Sequence, residues 1–388
     1  MMMNYRGAMM TGPAPSAAER AFGEAPIRVM IVDDSAVVRG LVSRWIEEQP
    51  GMEVVARHPN GKLAVADVAR SAPDLVLLDI EMPVMDGLEA LPLLLKALPG
   101  VRVLMVSTLT KRNAEISFKA LALGALDYLP KPDSNSSLTL SSDFRGEVIR
   151  KIRALGPVRS PRAALDEAER AVGNQIRPGA GYAQRAFKQR PFSLVPPRVI
   201  AIGSSTGGPQ ALASVLGALA PSLSRVPVLI AQHMPPMFTT VLAERLSKAA
   251  GREAKEGSDG EPVRPGIIYV APGGHHMTVL NPTAPALRIG EEPQVHFCRP
   301  AVDPLFRSVA ATFGPAALGI VLTGMGHDGA AGARYIADAG GSVIAQDEAS
   351  SVVWGMPGAA ASVGACAALL PPAGIAETAA KLLRGERP

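Results

Sequence analysis

Cysteine is nearly absent from this 388-residue chain: Cys298 and Cys366 are too few and too far apart for a disulfide framework or a zinc site, which fits a reducing compartment. The first 26 residues contain no continuous apolar run, so they do not read as a secretion signal. No stretch reaches the about 18 uninterrupted apolar residues of a membrane span. Aromatic residues make up only 4% of the chain, and no zinc-finger or RNA-binding signature occurs, which argues against a nucleic-acid partner. With 47% apolar and 19% charged residues, the chain can bury substantial cores. Its length suits two domains. The composition reads as a soluble, cytoplasmic protein without membrane insertion.

The net charge of +4 is unevenly placed. Residues 145–190 hold 11 Lys and Arg against 4 Asp and Glu, a surplus of seven that leaves the rest of the chain three negative. That segment is rich in Ala, Pro and Gly and reads as a solvated tether. The expected division is a disordered extension at 1–26, a first domain at 27–132, a linker at 133–196 and a second domain at 197–386.

Residues 27–131 alternate strand-like and helix-like runs, the pattern of a parallel sheet wrapped by helices. "IRVMIVDDS" ends in Asp33 and Asp34, with Ser35 as a helix cap. "PDLVLLD" ends at Asp79, "VRVLMVST" at Ser107 and Thr108, and "ALDYLPK" at Lys131. The carboxyl ends of parallel strands gather at one sheet edge, which brings these groups together. Three carboxylates repel one another unless a cation neutralises them, and Mg²⁺ accepts one or two carboxylates plus water and phosphate oxygens. Asp79 is then a candidate carboxylate nucleophile for phosphoryl transfer.

A second alternation begins near residue 197. "RVIAIGSS" ends at Ser205, "VPVLIAQH" at His233, and "ALGIVLTGMGHDG" in a loop containing Asp328. Gly203, Ser205 and Gly207 fit the G-x-S-x-G turn that presents a serine nucleophile. The same stretch also fits a glycine-rich loop holding an anion at a helix N-terminus. A serine hydroxyl needs an imidazole to take its proton, and the imidazole needs a carboxylate to fix its tautomer. The chain order Ser, His, Asp differs from that of the α/β-hydrolases, so their fold is not implied. His327, beside Asp328, is a rival base. His275 and His276 are further rivals or a poorly spaced metal pair. His58 and His296 lie in no motif. A phosphate loop for a nucleotide lacks a Walker lysine, and a non-catalytic adaptor is the other alternative.

The motifs "VDDS", "LLDIEMPVMDG", "VST" and "LPKP" together resemble the receiver domain of bacterial response regulators. The resemblance implies a flavodoxin-like, doubly wound α/β fold with Asp79 as the phospho-acceptor. It implies Mg²⁺ held by Asp34, Asp79 and the Glu81 backbone carbonyl, with Asp33 assisting through water. Ser107 and Lys131 would meet the phosphoryl group. "GSSTGGPQAL", "AQHMPPMFT", "YVAPGGHHM", "RPAVDPLF", "VLTGMGHDGAAG" and "WGMPGAA" resemble the catalytic domain of the chemotaxis protein-glutamate methylesterases, the CheB family. That resemblance implies a second doubly wound α/β domain with a mostly parallel sheet. It makes Ser205 the nucleophile, His233 the base and Asp328 its orienter, with Thr206 and Met325 in the oxyanion region and no cofactor at the ester site. The implied substrates are methyl-accepting chemotaxis receptors, demethylated at glutamates to release methanol, with glutamine deamidation as a companion activity. A chemotaxis histidine kinase would donate the phosphoryl group, and the unphosphorylated receiver would cover the cleft.

Overall fold

The computed structural model describes residues 25–108, 110–131, 142–156 and 189–388. Most of the extension expected at 1–26 and most of the expected linker lie outside the described residues.

The N-terminal unit follows the apolar runs closely. Strands β1 (Ile27–Val32), β2 (Met52–His58), β3 (Leu75–Asp79), β4 (Arg102–Thr108) and β5 (Asp127–Lys131) alternate with helices α1 (Ala36–Glu47), α2 (Gly61–Ser71), α3 (Gly87–Ala97) and α4 (Lys111–Ala122). The sheet order is β2-β1-β3-β4-β5, with every pairing parallel. Helices cover both faces of such a sheet, which explains the nearly unbroken apolar strands. Polar side chains fix the helix starts: the Ser35 hydroxyl accepts from the Val38 amide, and Asp86 and Glu89 form a reciprocal capping box at α3.

The boundary at residue 132 needs correction. Helix α5 (Ser142–Leu155) belongs to this unit, not to a linker. Its Phe144, Val148, Ile149, Ile152 and Leu155 recur at helical spacing and bury against the core, with Phe144 edge-on to Trp45. The dense basic residues on the opposite face mask this stripe in composition. The other end shifts as well. The Arg190 amide donates to the Cys366 carbonyl and the Arg190 Nε to the Gly364 carbonyl, so the chain is docked on the second unit well before residue 196.

The C-terminal unit contains β6 (Val199–Ser204), α6 (Gly208–Leu219), β7 (Val228–Gln232), α7 (Phe238–Ala250), β8 (Ala254–Glu256) and β9 (Ile268–Val270). An antiparallel hairpin follows, β10 (His276–Leu280) and β11 (Ala286–Gly290). Then come α8 (Val302–Phe313), β12 (Ala317–Val321), α9 (Ala330–Asp338), β13 (Ser342–Gln346), α10 (Gly355–Ser362), β14 (Ala368–Leu370) and α11 (Pro372–Leu383). The main sheet is wholly parallel, in the order β14-β13-β12-β6-β7-β9-β8. Connections leave β6 towards β7 on one side and reach β12 and β13 on the other, so the strand order reverses beside β6.

The two units meet along α4, α5 and β5 of the first and α7 and the β6–α6 turn of the second. Tyr128 stacks on Phe238 with ring centroids 4.5 Å apart. The Arg245 guanidinium lies over the Phe118 ring at 4.9 Å, and Lys111 approaches Glu244 at 3.7 Å. Among the described residues, no helix is long and apolar enough to cross a membrane.

Candidate active site

Ser205 follows β6 on the turn into α6. Its amide donates to the Thr323 carbonyl at 3.1 Å, and its carbonyl accepts from the Gln232 side chain at 3.0 Å and the Gly208 amide at 2.8 Å. The turn closes through Gly207 at φ +74°, a left-handed conformation that glycine adopts without strain. A Cβ on Gly324 would lie 2.9 Å from the Ser205 amide nitrogen, so glycine there lets the β12 loop lie against the serine.

His233 follows β7 and Asp328 lies in the loop after β12, the two strands that flank β6. The imidazole Nε2 meets Asp328 Oδ2 at 2.7 Å. Asp328 is 2% exposed and also accepts from the amides of Val302 (2.6 Å), Asp303 (3.0 Å) and Gly329 (2.9 Å). Two of these amides open α8, so the carboxylate sits at a helix N-terminus. Burial alone would raise its pKa, but the contacts with His233 and with the Val302 and Asp303 amides hold it below the ordinary aspartate value.

The second ring nitrogen of His233, Nδ1, faces Cys298 Sγ at 3.5 Å. Burial opposes the charged ring, but the Asp328 hydrogen bond and the Cys298 sulfur outweigh it and lift the imidazole pKa to about 10. In this arrangement the ring favours its protonated form, which cannot accept a serine proton.

The rival histidines are placed elsewhere. His275 pairs with Glu291 at 3.2 Å. His276 is buried, accepting from the Ala301 amide at Nδ1 and meeting the Pro293 carbonyl at Nε2. His327 stacks edge-on against His296, and His58 pairs with Asp67. Met325 is half-buried three residues before Asp328.

The first unit closes over this site. Asp127, Tyr128, Pro130, Glu147 and Lys151 face Ser205, Thr206, Gln232, His233 and Pro235 across a cavity of about 40 Å³. That space holds a water or two, not a protein side chain with its backbone. The Thr206 hydroxyl donates to Asp127 Oδ2 at 2.8 Å, and the Lys151 ammonium pairs with the same carboxylate. Burial works against the Lys151 charge, but Asp127 and Glu147 hold its pKa above the ordinary lysine value.

At the other end of the first unit, the strand-end acids converge as expected. Carboxylate oxygens of Asp33, Asp34 and Asp79 lie within 4.8 Å of one another, and Lys131 Nζ reaches Asp33 and Asp79 at 2.8 Å each. One lysine leaves two of the three negative charges uncompensated, a donor set that suits a divalent cation, with Asp34 exposed towards solvent. Burial raises the Asp79 pKa to about 6 despite Lys131. A cavity of about 420 Å³ opens beside Asp34, Glu81 and Arg112. The Ser107 hydroxyl is buried and shared with Ser117 at 3.2 Å.

Gln232, Cys298, Asp127 and Lys151 were not singled out from the sequence. Gln232 had a signal, as the last residue of a strand beside a candidate base. The other three act through contacts between distant segments.

The sequence matches two family models: CheB methylesterase over residues 200–379 and response regulator receiver domain over residues 29–141. A protein-glutamate methylesterase/protein-glutamine glutaminase of Nitrobacter hamburgensis is 52% identical over 97% of this chain and all of its own length. A Rhodopseudomonas palustris protein of the same name is 51% identical over 98% of this chain and all of its own. The crystal structure of the Thermotoga maritima CheB methylesterase catalytic domain is 36% identical and covers 48% of this chain and all of that one, with a TM-score of 0.47.

Proposed function

This chain belongs to the CheB methylesterases that carry a response-regulator receiver, and from that premise we propose a phosphorylation-switched enzyme working through Ser205, His233 and Asp328. It is a protein-glutamate methylesterase and protein-glutamine glutaminase of chemotaxis. Its substrates are the methyl-esterified glutamates of cytoplasmic chemoreceptor segments, and its phosphodonor is a chemotaxis histidine kinase.

The observation that carries the reading is the His233–Asp328 pair beside the Ser205 turn, where the strand order reverses. Ser205 Oγ attacks the ester carbonyl while His233 Nδ1 takes its proton. Asp328 holds the Nε2 proton and stabilises the imidazolium. The imidazolium returns the proton to the departing methoxide, and methanol leaves. Water, activated by the same imidazole, then frees glutamate from the acyl-enzyme. With a glutamine side chain the leaving group is ammonia. The loop carrying Thr206 and Met325 is the region where the developing oxyanion would be held.

The closed arrangement is silent for two reasons. The 40 Å³ cavity excludes the substrate, and His233 Nδ1 faces Cys298. Phosphorylation of Asp79 would favour an open arrangement by adding charge beside Lys131, at the far end of the strand whose first residue holds Thr206. Mg²⁺ would be held by Asp34, Asp79 and the Glu81 carbonyl, with Asp33 through water, and would supply charge neutralisation at the phosphoryl oxygens. Lys131 stays beside Asp79 as the fixed cation, and Ser107 exchanges Ser117 for the phosphoryl group.

Methanol release from methylated receptor membranes tests this, with and without a small-molecule phosphodonor. Release should rise on phosphorylation and vanish in Ser205→Ala. Release that persists in Ser205→Ala would remove the triad.

A further inference from the structure

Next to the catalytic pair, the backbone does something costly. Residues Val295 to Cys298 form a tight two-residue turn, closed by the Val295 amide to the Cys298 carbonyl (3.1 Å) and the reverse bond (2.9 Å). Its central residues, His296 and Phe297, have φ of +53° and +61°. Turns of this hand are normally built from Asn or Gly, because a side chain there is strained. The phenyl ring gains no burial in compensation. Phe297 is 85% exposed, the most exposed of the large apolar side chains among the described residues.

The turn is nonetheless held firmly. His296 Nε2 meets the buried Asp303 carboxylate at 3.0 Å, and that carboxylate accepts from the Gly332 amide. Cys298 Sγ lies 3.5 Å from His233 Nδ1. Phe297 is therefore carried on a pinned support one residue away from the catalytic imidazole. Met237, four residues after His233 and at the start of α7, also has a positive φ of +68° and is 40% exposed. Strain retained beside a candidate catalytic group motivates a functional reading.

We propose that Phe297 is a specificity-determining residue that grips the protein substrate, laying its ring against an apolar side chain next to the esterified glutamate. This rests on the methylesterase reading. A glutamyl ester is a short side chain, so attack at its carbonyl brings the substrate polypeptide close to His233, and Phe297 is next in the chain to Cys298, which touches that imidazole. Aromatic rings on rigid supports give large contact area at small entropic loss. The receiver contacts Thr206 and Phe238, while Phe297 remains open to solvent in the closed arrangement. Its role is therefore separate from closure.

The test uses the full chain with acetyl phosphate and Mg²⁺. It measures methanol release from a methyl-esterified chemoreceptor fragment and hydrolysis of p-nitrophenyl acetate. Phe297→Ala should raise KM for the receptor fragment about tenfold, equivalent to about 1.4 kcal/mol, with kcat and small-ester hydrolysis unchanged. Phe297→Trp should restore most of the affinity and Phe297→Leu part of it. An unchanged KM in Phe297→Ala overturns the proposal, as does a parallel loss on both substrates in Phe297→Ala and Phe297→Leu. If the wild type itself releases no methanol while hydrolysing the small ester, the methylesterase reading fails and the grip fails with it.

Discussion

Thr206, the residue after the candidate nucleophile, donates its hydroxyl to Asp127 of the receiver at 2.8 Å. Asp127 is buried, and the same oxygen, Oδ2, also pairs with Lys151. One carboxylate thereby ties the receiver to the nucleophile turn. Asp127→Ala leaves the Lys151 cation buried without its partner in the closed arrangement and deletes the Thr206 bond, both of which favour opening. A hydrogen bond to a charged group contributes about 1.5–3 kcal/mol, so basal methanol release should rise roughly tenfold or more. Thr206→Val, which removes the donor alone, should raise it less. If both variants keep wild-type basal rates and the same gain from phosphodonor, the contact does not hold the closed state.

Ser205→Ala should lower methanol release by at least about 10³-fold while the receiver still takes up phosphate. Asp328→Asn should come close to it, because the amide cannot hold the imidazole tautomer that the reaction needs. Asp328 is also clamped by the Val302 and Asp303 amides, so thermal unfolding of this variant should be measured alongside turnover. A folded Asp328→Asn enzyme with normal turnover would remove Asp328 from the mechanism.

The pH profile has a defined direction. In the proposed mechanism the neutral imidazole is the active form, and the Asp328 and Cys298 contacts raise the His233 pKa towards about 10. The rise of basal activity with pH should therefore be centred above the ordinary imidazole value of about 6.5. Cys298→Ala removes one of the two contacts and should move that rise to lower pH, increasing the basal rate at neutrality. A profile that shifts upward in Cys298→Ala, or stays in place, contradicts the assigned contact.

Asp79→Asn should abolish phosphodonor stimulation and leave basal methanol release intact. Chelation of Mg²⁺ in the wild type should have the same result, since the acid cluster at Asp33, Asp34 and Asp79 lies at the opposite end of the receiver from Ser205. Loss of basal release on chelation would place a metal requirement at the ester site instead.

The residues at strand ends were legible because each closes or follows an apolar run: Asp79 ends β3, Ser205 follows β6 and His233 follows β7. A parallel sheet sends such residues to its carboxyl edge, Asp79 in the first sheet and Ser205 with His233 in the second. Strand order was not legible, nor was the reversal beside β6, because pairing partners are far apart in sequence. The receiver boundary was misplaced because the apolar stripe Phe144, Val148, Ile149, Ile152 is interleaved with arginine and lysine, so composition hid a periodicity that a helical reading recovers. Asp127, Lys151 and Cys298 carry no local pattern. Their roles exist only where two segments meet, Asp127 with Thr206 and Cys298 with His233.

Strand β5 begins with Asp127 and ends with Lys131. The first touches the turn that carries Ser205 and the last touches Asp79, the proposed phospho-acceptor, about 13 Å apart at the usual rise of a strand. The strand is a ruler between two chemistries, and its length is an information-carrying quantity. Because side chains alternate faces with a period of two, one residue added between Asp127 and Lys131 would turn one of them away from its partner. Such an insertion would lose either the Lys131 contact with Asp79 or the Asp127 contact with Thr206, and with it the connection between the two sites.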